Sequence, residues 1–141
     1  MPLSLAERQS FLAEPHIAAL AVDGQAGRAP LLIPIWYAYE PGGDVWIITQ
    51  PGSRKAELIR AAGRFSLMVE RTQPSYRYVS VEGPVSRSAS TTPEEIDALC
   101  ARYLTGYDPQ DADAVRAIYS TEDVTIRMTP EHWLSSDMGS F

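Results

Sequence analysis

The chain is poor in the residue types that carry much of protein chemistry. Its 141 residues include one cysteine (Cys100), one lysine (Lys55) and two histidines (His16 and His132). A single cysteine excludes an intrachain disulfide and a cysteine-rich zinc site. The two imidazoles lie far apart in sequence, with no acidic partner at ligand-like spacing, so no metal site is expected. No apolar run reaches the roughly 18 residues that a membrane-spanning helix needs. Residues 1–8 lack the basic start and apolar stretch of a secretory signal, and a cytoplasmic location is the default expectation. Positive charge is also scarce. The formal net charge is -6, which argues against nucleic acid as a partner, because phosphate backbones demand clustered cations.

What is present reads as one domain over residues 1–141 with short, mostly β-type segments. Ser4-Leu5-Ala6-Glu7 is a capping box that opens a helix. Leu5, Phe11 and Leu12 mark its apolar side, and Pro15 ends it. Strand-length runs at 16–22, 30–39 and 45–49 predict a three-strand meander, with Pro34 placing the second run at an edge or a bulge. A helix is expected after Lys55, burying Leu58 and Ile59 and stopping near Gly63. Further strands are expected at 64–70, 76–83 and 124–128. Between the last two, Thr92-Pro93-Glu94-Glu95 is a second capping box with proline at the first helical position. Its helix lines up Ile96, Leu99, Cys100, Tyr103 and Leu104, and a short helix over 111–119 follows. The fold class is therefore mainly β (α+β): a six-stranded antiparallel barrel with a few flanking helices. Closure of such a barrel removes most exposed edges.

The lone lysine stands at the junction of strand and helix, in Thr49-Gln50-Pro51-Gly52-Ser53-Arg54-Lys55. Helix N-termini carry unpaired N–H groups and the positive end of the helix dipole, so they suit anions. Ser53, Arg54 and Lys55 add a hydroxyl, a fork-shaped cation and a point cation. A phosphate fits this arrangement. The plainer alternative is a solvated basic helix start with Ser53 as an ordinary N-cap.

Two segments resemble the pyridoxamine 5′-phosphate oxidase-like superfamily of flavin-binding split barrels. Ile48-Thr49 followed by Ser53-Arg54-Lys55 is similar to that family's riboflavin-phosphate loop. Arg77-Tyr78-Val79-Ser80-Val81-Glu82-Gly83 is similar to its later R-Q-V-x-V-x-G strand. The resemblance implies that Arg54 and Lys55 bind the cofactor phosphate, with Ile48, Thr49 and Ser53 beside them. It implies that Ile33, Pro34, Ile35 and Trp36 face the isoalloxazine ring, and that Arg77 or Tyr78 reaches the cofactor. It further implies FMN as cofactor, with the deazaflavin coenzyme F-420 as the alternative. The expected assembly is a homodimer holding the cofactor between two barrels, its interface using Trp36, Trp46 and Tyr78. The expected activity is hydride transfer to or from a small organic substrate, and the alternative is a non-catalytic flavin- or haem-binding module. The sequence departs from the oxidase proper. Tyr78 stands where that enzyme has glutamine, and the C-terminal Arg and His that grip pyridoxal phosphate are absent. Pyridoxamine phosphate oxidase activity is therefore not expected. No catalytic side chain is singled out, since the redox chemistry would belong to the cofactor.

Overall fold

The computed structural model describes residues 1–139. Its elements run α1 (Leu5–Ala13), β1 (Ala18–Val22), β2 (Leu31–Ile35), β3 (Val45–Thr49), α2 (Arg54–Ala62), β4 (Arg64–Arg71), β5 (Arg77–Ser90), α3 (Pro93–Leu104), α4 (Pro109–Arg116), β6 (Val124–Met128) and β7 (His132–Asp137). All strand pairs are antiparallel, in the order β2-β1-β4-β5-β6-β3, with β7 pairing β5. A bridge between Ala38 and Trp46, with N–H···O distances of 2.9 and 3.0 Å, joins the two ends of this path. The expected mainly β architecture with flanking helices is what forms.

Three expectations are corrected. Among the described residues the strands number seven rather than six, because residues 132–137, to which sequence assigns no element, pair with Arg77–Glu82 of β5. The meander is broken, because β3 crosses to β6 and touches the β2 side only at Ala38. Leu5 is exposed, and α1 buries Phe11 and Leu12 alone. Pro34, by contrast, sits on the edge strand β2 as predicted, where its missing N–H costs no ladder bond on the open side.

The long strand β5 explains the split shape. Its first half pairs with β7 and its second half with β6, both along the same edge. The connection from β6 to β7 steps over β5 at Gly83, where the Thr129 N–H donates to Pro84 O at 3.0 Å and the Glu131 N–H to Glu82 O at 2.9 Å. Alternation along the strands sends Leu20, Val45, Ile47, Phe65, Leu67, Val69, Val79, Val81, Ile126 and Met128 into one core with Phe11 and Leu12. Ile47 and Ile48 face opposite ways, so Ile48 joins a second cluster with Ala38, Ile96, Leu99, Cys100 and Leu104 under α3. Cys100 is the buried core thiol that its helix position predicts. Glu95, the capping-box acid of α3, also takes Arg127 Nη2 at 2.8 Å and the Thr125 hydroxyl at 3.1 Å. That ties α3 to β6.

Candidate functional site

The turn between β3 and α2 is built by two hydroxyls. Ser53 is the N-cap of α2, its Oγ accepting the Ala56 N–H at 3.2 Å. The Ser53 N–H donates to Gln50 O at 3.1 Å, closing the turn. Thr49 Oγ1 lies 2.9 Å from Ser53 Oγ. Two hydroxyls share one proton in that contact, so the second proton is left to donate elsewhere. The plain N-cap role of Ser53 is thus real, and it leaves a donor over. The N–H groups of Arg54 and Lys55, in the first turn of α2, have no intrahelical acceptor. At the other end, Gly63 adopts φ 73° and its N–H bonds Ile59 O at 2.7 Å, the left-handed C-cap that the sequence predicts.

A cleft of about 330 Å³ opens against this turn, lined by Ile48, Thr49, Gln50, Ser53 and Lys55 on one side and Ile118, Tyr119 and Asp123 on the other. Lys55 is half-buried and Arg54 exposed. Neither has an ion-pair partner among the described residues. Asp123 is buried, its carboxylate accepting the Ser120 N–H at 2.9 Å. The Tyr119 ring lies 6.5 Å from Trp36, which stacks on Tyr103 at 4.4 Å and 9°. Burial pushes the Tyr119 phenol up to about 12, so it is a proton donor throughout the neutral range. The donors in this cleft are one cation, spare hydroxyl protons and helix N–H groups. That set matches a phosphate-bearing ligand.

An apolar cavity of about 280 Å³ between α2 and β5–β6 contrasts with it. Its walls include Ala56, Ile59, Val85, Val124 and Ile126. Its one charged group, Arg60, points Nη2 at Pro51 O at 3.4 Å.

Of the residues singled out from sequence, Ile48, Thr49, Ser53 and Lys55 meet in the cleft, and Arg54 stands at its helix end. Ile33 and Pro34 line a separate depression of about 270 Å³ with Ile17, Leu32 and Met68. Ile35 turns toward the core. Trp36 joins the aromatic stack described above. Trp46 packs beneath the Arg127 guanidinium at 5.3 Å. Both tryptophans are therefore engaged within the chain. Arg77 and Tyr78 open β5, and neither lines the Lys55 cleft.

Arg77 instead anchors β7. Asp137 accepts the Gly139 N–H at 3.0 Å, Arg77 Nε at 2.9 Å and the Ser75 hydroxyl at 3.0 Å. Those bonds, the Gly139 N–H first, hold the Asp137 carboxyl down at about 2. Its folded pKa lies below the unfolded value of about 3.9. Its stabilisation is therefore complete above about pH 4 and is lost as pH falls toward 2. Urea midpoints measured from pH 5 to pH 2 should fall more steeply for the wild type than for Asp137→Asn. Parallel slopes would refute the assignment.

The family model for pyridoxamine 5′-phosphate oxidase matches residues 5–136. The chain belongs to this family. Solved relatives repeat its fold. A conserved hypothetical protein from Mycobacterium tuberculosis shares 28% identity at a TM-score of 0.73, over 96% of this chain and 85% of that one. An F-420 reductase shares 22% identity at 0.72, over 89% and 94%. An FAD-binding protein from Mesorhizobium loti shares 20% identity at 0.66, over 99% and 98%. None of the curated proteins matches the chain.

Gln50, Ile118, Tyr119 and Asp123 are cleft residues that sequence reasoning missed. The signal that could have found them is the pairing of β3 with β6. Thr49 lies opposite Val124, which brings Asp123 alongside Gln50.

Proposed function

We propose that this protein binds a flavin-type cofactor by its phosphate in the Lys55 cleft and serves as an oxidoreductase for a small organic substrate. The observation that carries this reading is Lys55 itself: the chain's one lysine, half-buried, with no ion-pair partner among the described residues, beside the Thr49–Ser53 hydroxyl pair and the start of α2. Lys55 would neutralise the phosphate as a point charge. Arg54 would add a planar fork from the solvent side, and the hydroxyl pair and helix N–H groups would orient the phosphate oxygens. The bound flavin supplies the hydride chemistry. The protein's own task is to hold the cofactor and to exclude water from the phosphate arm.

FMN is the cofactor we propose, because Thr49 with the Ser53-Arg54-Lys55 triplet is the fuller FMN-like pattern. Coenzyme F-420 is the second reading, favoured by the likeness to an F-420 reductase. The assembly we propose is a homodimer. Its support is a mostly apolar, partly exposed row across the outer sheet face, where register aligns Pro34, Ala19, Met68, Ser80 and Leu134 and Leu32 lies alongside. Leu32 and Leu134 are 69% and 63% exposed, and an apolar patch of this kind marks an association surface. In that assembly Ile33, Pro34 and Tyr78, which one chain keeps apart from the Lys55 cleft, would serve the ring from across the interface.

Absorbance of the purified protein, followed by titration with FMN and with F-420, tests the reading. Lys55→Ala should weaken binding by about 10- to 150-fold, the equivalent of about 1.5–3 kcal/mol for one charged contact. Its melting temperature should stay unchanged. Equal affinity in wild type and variant would remove the basis for the proposal.

A further inference from the structure

We propose that Tyr119 is a ligand-binding residue of the Lys55 cleft, donating its phenolic proton to the phosphate arm of the bound cofactor. This rests on the reading of the cleft given above and adds to it a residue that no local motif announces. Tyr119 reaches the cleft through long-range placement. It follows α4, and it faces Lys55 because β6 lies against β3. Its ring has a fixed seat. Tyr103 stacks on Trp36, and Tyr119 completes the series on Trp36. Tyr103 is itself pinned, its hydroxyl donating to His16 O at 2.6 Å and lying 3.0 Å from Tyr37 O. The wall bearing Tyr119 is therefore anchored to the barrel through Trp36 and Tyr103.

Its hydroxyl has a different status. The Tyr37 and Tyr103 hydroxyls both have backbone partners. The Tyr119 hydroxyl has no hydrogen-bond partner among the described residues, and it shares the cleft with Lys55, which makes no ion pair among those residues. A phenol and a lysine that line one open cleft present two donors, and one anionic oxygen between them would take both. Asp123 shares the cleft but makes no hydrogen bond to Tyr119; its Oδ2 accepts the Ser120 N–H at 2.9 Å. Burial keeps the phenol protonated to about pH 12, so the donor persists through any physiological range. The chemical class recognised is thus a phosphate ester, gripped by Lys55 on one side and by a phenol on the other.

The test compares phosphorylated with phosphate-free ligands. Affinities of wild type, Tyr119→Phe and Lys55→Ala are measured by fluorescence quenching for FMN and for riboflavin. The same is done for F-420 and its phosphate-free deazaflavin counterpart. Tyr119→Phe keeps a ring on Trp36, so the far-ultraviolet circular dichroism and melting temperature should be unchanged. The expected result is a 5- to 20-fold loss of affinity for the phosphorylated ligand and no change for the phosphate-free one. Equal affinity of Tyr119→Phe and wild type for the phosphorylated ligand overturns the role of Tyr119. So does an equal loss for both ligand forms, which would mean a wall without phosphate contact. If Lys55→Ala leaves affinity intact, or if no ligand binds the wild type, the cleft reading itself fails and this inference falls with it.

Discussion

Gly83→Ala should lower stability by about 3–5 kcal/mol, a large part of the roughly 5–15 kcal/mol typical of a folded domain. A Cβ at this position would lie 1.8 Å from Thr129 O, 2.9 Å from the Thr129 carbonyl carbon and 3.2 Å from the Glu131 N. All three are backbone atoms, so no side chain can swing aside. The same strap is bonded to β5 on both sides of Gly83, through Pro84 O and Glu82 O. Relief therefore requires breaking those bonds and lifting the start of β7 or the end of β6. The cause is close approach, since Gly83 is not among the positive-φ glycines. Gly63→Ala offers the comparison: φ is 73° there, with open space around the missing Cβ. That change should cost only about 1 kcal/mol. Urea denaturation of the two variants checks both figures, and a loss below about 1.5 kcal/mol for Gly83→Ala would contradict the close approach.

Replacing Arg102 is the second large effect. Helix α1 ends with carbonyls that have no helical partner. The Arg102 guanidinium collects three carbonyls there: Ala13 O at 2.7 Å, Leu12 O at 3.2 Å and Glu14 O at 2.7 Å. It also stacks on Tyr37 at 4.7 Å and Tyr103 at 5.5 Å. Arg102→Leu should destabilise by about 3 kcal/mol, because carbonyls at a half-buried helix end lose a charged donor. The Tyr37 hydroxyl, which reaches Leu12 O at 2.7 Å and Glu14 O at 3.1 Å, sets the limit on that loss. Arg102→Lys should recover less than half of it, since one ammonium lacks the planar fork that spans three acceptors and lies on two rings. Chemical denaturation of the two variants decides this. Full recovery by lysine would show that charge alone matters.

Local signals were legible wherever the structure depends on neighbours in sequence. Both capping boxes form, at Ser4–Glu7 and Thr92–Glu95, because each needs only four consecutive residues. Gly63 stops α2, and Ser53 starts it. The gathering of Thr49, Ser53 and Lys55 could be read for the same reason. What sequence did not yield depends on partners far along the chain. His132–Asp137 alternates weakly, and its burial pattern places only Ser135 fully inside. Nothing local marked it as a strand until β5 stood beside it. Arg77 reads as a residue that reaches the cofactor, yet in the chain Asp137 takes it up. The aromatic wall of the cleft escaped notice because Trp36, Tyr103 and Tyr119 come from three separate segments.

The crossing of β3 to β6 has a consequence for the order of assembly. Pairs β1–β2 and β4–β5 join neighbouring segments, and their loops close cheaply. Strand β3 must wait for a partner made near the other end of the chain, with α2, β4, β5, α3 and α4 intervening. Pairings of that span form late and slow a chain's folding. The segment carrying Thr49 and Lys55 hangs directly from β3, and the opposite wall hangs from β6. The two walls of the cleft therefore meet only when this seam zips. A ligand that occupies it would bind only the chain in which this seam is formed, and would stabilise that state over those in which it is open.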